Sequence, residues 1–164
     1  MKEYSIYFAT PDFYDVIRNC GGTWNDTKER PIVCLLKLDN DNIYWAVPMG
    51  NFDHRNEKAK ERLQYYINLD KRDIRSCYYH IGKTNVNSIF FMSDAIPIID
   101  KYIDRTYNNL SNNVPYTIKN KKLKEELSRK LKRILKYENQ KPNFFRQHIT
   151  DVKNYLLAEM LITE

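Results

Sequence analysis

Apolar and polar positions along this chain switch between a two-residue and a helical period, and each switch marks a new element. Residues 4–9 read as a first strand. Thr10-Pro11 then opens a helix, with Thr10 as N-cap and Pro11 at the first helical position, where a missing N–H costs nothing. Phe13, Val16, Ile17 and Cys20 recur at helical spacing, and Gly21-Gly22 ends the run because glycine tolerates the left-handed backbone of a helix terminus. A polar loop over 23–29 follows.

Two apolar runs, 32–38 and 43–49, flank Asp39-Asn40-Asp41-Asn42, and that turn chemistry predicts an antiparallel hairpin. Arg30 and the cluster Asn51–His54 therefore fall at the open end of the hairpin. Residues 57–69 predict a helix with Ala59, Leu63, Tyr66 and Ile67 on one face. Strands are predicted at 74–81 and 88–92, separated by a polar break at Gly82-Lys83-Thr84-Asn85. A short strand or helix starts at 95–99, and a polar loop covers 108–115. Residues 119–136 form a strong helix with the stripe Leu123, Leu127, Leu131, Ile134 and Leu135. Pro142-Asn143 separates it from a last helix over 144–161, with Phe145, Ile149, Val152, Leu156 and Met160 facing inward. No repeat, low-complexity tract or linker interrupts the chain, so 1–164 reads as a single domain. The irregular mixture of helices and strands around a hairpin predicts an α+β fold with an antiparallel sheet, not a doubly wound one.

Composition narrows the chemistry. The 164 residues suffice for one full core. Only 4 are glycine, and neither phosphate-binding glycine motif occurs. The formal charge of +6 is consistent with an anionic partner, and some of the 13 tyrosines could stack on bases. Cys20, Cys34 and Cys77 are far apart with no C-x-x-C pair, which predicts neither a zinc site nor a disulfide framework. The N-terminus has no apolar leader and no run is long enough to span a membrane, so a cytoplasmic protein is expected.

Three clusters carry candidate chemistry. In Asn51-Phe52-Asp53-His54-Arg55, His54 is the side chain best matched to proton transfer near neutral pH, and Asn51 could donate to a phosphate oxygen. Asp53 would either orient His54 or cap the following helix. In Tyr78–Asn85, Lys83 follows a strand and a glycine and can reach a phosphate as a point charge, whereas His80 reads equally as a solvated strand residue. The 119–136 helix carries nine Lys and Arg against Glu125 and Glu126, and its length lets it track several phosphates. No HExxH occurs and no carboxylate pairing suggests a two-metal nuclease, so if the chain cuts nucleic acid, RNA cleavage without metal or other cofactor is the economical chemistry, with the 2′-OH as nucleophile.

The stretches 30–38, 44–49 and 89–98, with their basic residue–strand–turn–strand–Pro pattern and late Ile96-Pro97-Ile98, resemble the ToxN/AbiQ endoribonucleases, most closely the CptN branch. The resemblance runs in element order from Tyr4 to the last helix. It implies a compact twisted antiparallel sheet akin to MazF-like toxins. It also implies metal-independent cleavage to 2′,3′-cyclic phosphate and 5′-hydroxyl ends. The implied partner is a repeated RNA antitoxin that folds as a pseudoknot, is trimmed by the toxin, and closes with it into an alternating protein–RNA assembly. Phage defence by abortive infection is the common role. Arg30 matches the basic residue before the first hairpin strand. Where better-known members carry Thr-Ser and a Lys after the proline, this chain has Met49–His54. The expected catalytic set is then Asn51 as oxyanion donor, His54 as proton carrier, and Arg30 and Lys83 on the pentavalent phosphate. Expected RNA contacts are Arg55, Thr84, Ser88, Lys121, Lys122, Lys124, Arg129, Lys130 and Arg133. Two other readings remain open: a non-catalytic module for structured RNA, and a scaffold for an acidic protein.

Overall fold

The computed structural model describes residues 1–24, 30–105 and 116–163. The strands are β1 (Ile6–Ala9), β2 (Ile32–Leu36), β3 (Tyr44–Asn51), β4 (His80–Lys83), β5 (Asn87–Phe90), β6 (Ile96–Ile98) and β7 (Ile103–Asp104). The helices are α1 (Phe13–Asn19), α2 (Glu57–Ile67), α3 (Lys121–Gln140) and α4 (Ile149–Thr163). The fold is α+β. One antiparallel sheet runs β4-β5-β3-β2-β1-β7, with β6 paired to β3 off that path. The polar loops expected at 23–29 and 108–115 lie outside the described residues, apart from Thr23 and Trp24.

β3 organises the sheet. Its first half pairs with β6 (Trp45 opposite Pro97), its last residues pair with β5 (Asn51 opposite Ser88), and its other edge pairs with β2 (Val33 opposite Pro48). Side chains along β2 alternate between two cores. Val33 and Leu35 join the layer under α1 and α4; Cys34 and Leu36 join the layer under α3. All four are fully buried, so β2 reads as a continuous apolar run, as a strand covered on both faces must. Burial pushes the Cys34 thiol pKa well up, which keeps it a protonated, unreactive core residue.

α1 ends as its glycines demand. Gly21 takes φ +81°, its N–H donates to the Arg18 carbonyl, and the Gly22 N–H reaches back to Ile17. Its start lies later than expected: Asp12 is the N-cap, and the Thr10 hydroxyl bonds the Asp12 carboxylate. The strand expected over 74–81 is instead a 3-10 turn, Ile74–Cys77, followed by β4. The Asp73 carboxylate accepts the Arg75 N–H at 2.9 Å, a local bond that competes with strand pairing. Gly82, expected to break the chain, lies within β4. A Cβ there would sit 2.5 Å from Leu123 Cδ1, so the glycine marks the close approach of β4 to α3. α4 begins at Ile149, not at 144, because Asn143 and His148 take positive φ and the rings of Phe144 and Phe145 pack edge-on and tilted against Tyr137.

Candidate nucleic-acid interface

A concavity of about 710 Å³ opens where the β2–β3 hairpin ends. Pro31 and Ile32 precede or begin β2, and Pro48 and Met49 stand beside them on β3. α2 contributes Arg62 and Tyr66, the approach to β4 contributes Tyr78 and Tyr79, and the segment before α4 contributes Arg146 and Gln147. These pieces are distant in sequence and meet only through the sheet.

Three guanidinium groups stand among the rings. Arg55 lies 5.6 Å from the Phe91 centroid and crosses β3 at Gly50, where a Cβ would come within 2.7 Å of its Nη2. Arg62 lies 5.9 Å from the Tyr66 centroid. Arg146 forks onto the Asp94 carboxylate with two bonds of 3.1 Å, so this pair is close to neutral. Arg55 and Arg62 have no carboxylate partner among the described residues, and they leave the cleft cationic. Tyr66, Tyr79 and Phe91 form a chain of rings with centroids 5.7 and 6.1 Å apart. Burial raises the pKa of Tyr79 and Tyr78, so both phenols remain protonated donors at neutral pH. A cationic cleft walled by rings suits unpaired nucleotides: bases stack on the π-faces while guanidinium groups meet phosphates.

The predicted site residues divide. Asn51, His54 and Arg55 share the turn that delivers Arg55 to the cleft. Asn51 Oδ1 accepts the Asp53 N–H at 3.0 Å, which leaves the amide Nδ2 as a donor. Asp53 orients neither His54 nor α2. Its carboxylate accepts from Asn87 Nδ2 at 3.0 Å, and the helix cap is Asn56, which accepts the Ala59 N–H at 2.8 Å. His54 is exposed beside Arg55 and does not line the cleft. The expected convergence of Arg30, His54 and Lys83 does not occur. Arg30 turns toward the β7 edge, where it pairs with Asp104 at 2.8 Å and lies 4.5 Å over the Phe8 ring. Lys83 ends β4, the opposite edge, in a small separate pocket with Asn120 and Lys122. All three sit near one end of their strands, but the sheet path separates them.

Other expected RNA contacts are structural. Thr84 and Ser88 are buried, and their hydroxyls share a 2.7 Å bond that closes the β4–β5 hairpin. Lys130 is buried and donates to the Tyr79 carbonyl at 2.8 Å. Arg133 donates to the Arg72 carbonyl at 3.0 Å and also to that of Lys71. Arg129 pairs with Glu126 at 2.9 Å. Lys121 and Lys122 are exposed near the start of α3, and Lys124 is partly covered, 5.4 Å from the Tyr4 ring. The cationic helix is thus half surface and half cement between α3 and the Lys71–Tyr79 segment. Arg62, Arg146 and Tyr79 escaped sequence reading, although the aromatic–basic run Phe144-Phe145-Arg146 was a usable signal. Among the described residues no three His, Cys, Asp or Glu side chains cluster as metal ligands would, and no helix is long and apolar enough to cross a membrane.

His80 lies against α3 beside Lys130, with Nδ1 buried and unpartnered. Burial, reinforced by the Lys130 charge, lowers its pKa to about 4. The unfolded chain therefore binds more protons than the folded one between pH 6.5 and about 4, and stability falls as pH drops through that window. Denaturant titrations at several pH values should show an acid-induced loss on the order of 2 kcal/mol. That loss should be absent from His80→Gln; equal acid sensitivity in both proteins would remove His80 as its source.

No protein-family model matches the chain, and no curated protein matches it.

Proposed function

We propose that the chain is a metal-independent endoribonuclease, the toxin of a type III toxin–antitoxin pair, acting on RNA held in the arginine–aromatic cleft. The observation that carries this reading is the cleft itself, where Arg55 and Arg62, without carboxylate partners among the described residues, stand beside the rings of Tyr66, Tyr79 and Phe91. A second observation supports the ToxN/AbiQ resemblance: the stretches that carry it become β2, β5 and β6, all paired to β3, and β3 itself.

In this reading the 2′-OH attacks the adjacent phosphorus, forming the cyclic phosphodiester as the bond to the 5′-oxygen breaks. His54, the sequence neighbour of the cleft residue Arg55, accepts the hydroxyl proton, and a water molecule protonates the leaving 5′-oxygen, its hydroxide taking the proton from His54 to restore both groups. Arg55, Arg62 and the Asn51 amide stabilise the pentavalent phosphate. Lys121, Lys122 and Lys124 meet the pseudoknot antitoxin outside the cleft, in a closed protein–RNA assembly within the cytoplasm.

The test is incubation of purified chain with single-stranded RNA in EDTA, followed by analysis of the ends. Cleavage to 2′,3′-cyclic phosphate and 5′-hydroxyl ends, lost in His54→Ala while binding persists, is expected. One observation favours a non-catalytic RNA-binding module instead: among the described residues no histidine lines the cleft. RNA bound but left intact by the wild-type chain would establish that second reading and end the first.

A further inference from the structure

A second cavity, of about 460 Å³, lies between α3, α4 and the β2–β3 turn and shares no lining residue with the cleft. Lys132 and Lys136, one turn apart on α3, and Lys153 on α4 bring three ammonium groups to it. None of the three pairs with a carboxylate among the described residues. Lys153 Nζ stands 6.0 Å from the centroid of Trp45, whose indole forms part of the wall. Asp39 and Glu138 are the carboxylates that line it.

Glu138 is the unusual member. It is 2% exposed, and its Oε2 accepts two short bonds, from the Asn143 N–H and the Thr150 hydroxyl, both 2.6 Å. Its Oε1 is buried and accepts from nothing. A buried carboxylate oxygen without a donor costs free energy, and native proteins pair such atoms with protein, water or ligand. Here the unmet acceptor belongs to a residue of a cavity to which Lys132, Lys136 and Lys153 bring three cations and Asp39 one further carboxylate. That combination asks for a molecule with an anionic end and a hydrogen-bond donor at some distance from it. The volume is that of a small-molecule site, too small for a length of folded RNA.

We infer that this cavity binds a phosphate monoester of mononucleotide size. Lys132, Lys136 and Lys153 hold the phosphate as point charges. Leu38 and Leu135, with the buried Trp45, supply an apolar wall for the sugar or base.

Isothermal titration calorimetry of the full chain with adenosine 5′-monophosphate tests this, with ribose 5-phosphate, adenosine and inorganic phosphate as separate titrants. Saturable one-site binding of the nucleotide is expected, with adenosine and inorganic phosphate each much weaker. Ribose 5-phosphate binding as tightly as the nucleotide would identify a sugar phosphate as the source of the same chemistry. Lys132→Ala/Lys136→Ala should weaken the nucleotide by about tenfold or more, as loss of charge-assisted contacts does. Both lysines are exposed, so the substitution spares the core. Arg55→Ala/Arg62→Ala, in the separate cleft, should leave this binding unchanged, so the two sites fail independently. No heat from any phosphate ester at millimolar concentration, equal affinity in the lysine variant, loss in the cleft variant, or binding only of RNA strands would each overturn the assignment.

Discussion

Replacing Arg55 and Arg62 together by alanine is expected to weaken single-stranded RNA binding by about 100-fold at moderate salt. Each guanidinium offers a charge-assisted contact to phosphate, worth about 1.5 kcal/mol, and two such losses compound to roughly this factor. Neither arginine holds a carboxylate that would be stranded by its removal, so the fold should persist. Both also lie against rings, Arg55 over Phe91 and Arg62 over Tyr66, and alanine removes that contact as well. Two phosphate contacts fewer should also flatten the salt dependence of binding, with the slope on log–log axes falling by about 1.4 for a single strand. Fluorescence anisotropy with a labelled oligonucleotide at several salt concentrations measures both quantities. Affinity and slope unchanged from wild type would show that RNA does not use this cleft.

Gly22→Ala should destabilise the fold strongly. A Cβ at Gly22 would sit 2.7 Å from the carbonyl carbon and oxygen of Gln147, closer than side chains approach backbone. Nothing flexible can yield there. The Thr23 N–H donates to the Arg146 carbonyl at 2.8 Å, and the Gln147 amide donates to the Ser93 and Ala95 carbonyls, at 2.7 and 2.9 Å, so the strand of chain beneath Gly22 is tied on both sides. The expected cost is about 3 kcal/mol, a Tm lower by roughly 6–12 °C in a domain of this size. Because Arg146 and Gln147 line the cleft, surviving folded protein should also bind RNA less well. Gly82→Ala is the comparison: its Cβ would meet the movable end of Leu123, and the cost should be about 1 kcal/mol. Thermal melts of the two variants side by side separate the cases; equal Tm values would show that the 145–147 segment can shift freely.

Local chemistry explains which parts of this protein can be read from its residues alone. The β2–β3 hairpin follows from two apolar runs around Asp39–Asn42, and α3 from a stripe at helical spacing. The end of α1 follows from Gly21, which accepts positive φ. The errors arise where a local cue has two physical outcomes. Gly82 reads as a break when only the neighbouring chain is considered, yet it is a contact point once Leu123 arrives from α3. The apolar residues at 74–81 suit a strand until Asp73 offers its carboxylate to the following N–H and bends the backbone into a 3-10 turn.

The candidate site shows the same division. Hydrophobic periodicity, turn residues and caps act over a few positions, so the sequence by itself determined the α+β class, the hairpin and the basic character of α3. It also placed Asn51, His54 and Arg55 together in one turn. Tertiary structure alone decided which cations are available. Lys130 and Arg133 look like surface charges in a basic run, but helix packing against the Lys71–Tyr79 segment spends their donors on backbone carbonyls. Arg30 and Lys83 were separated by strand order, which no local pattern encodes. Arg62, Tyr79 and Arg146 were brought into one cleft because burying the faces of α2, the β4 approach and the chain before α4 leaves their polar rims converging on the open end of β3.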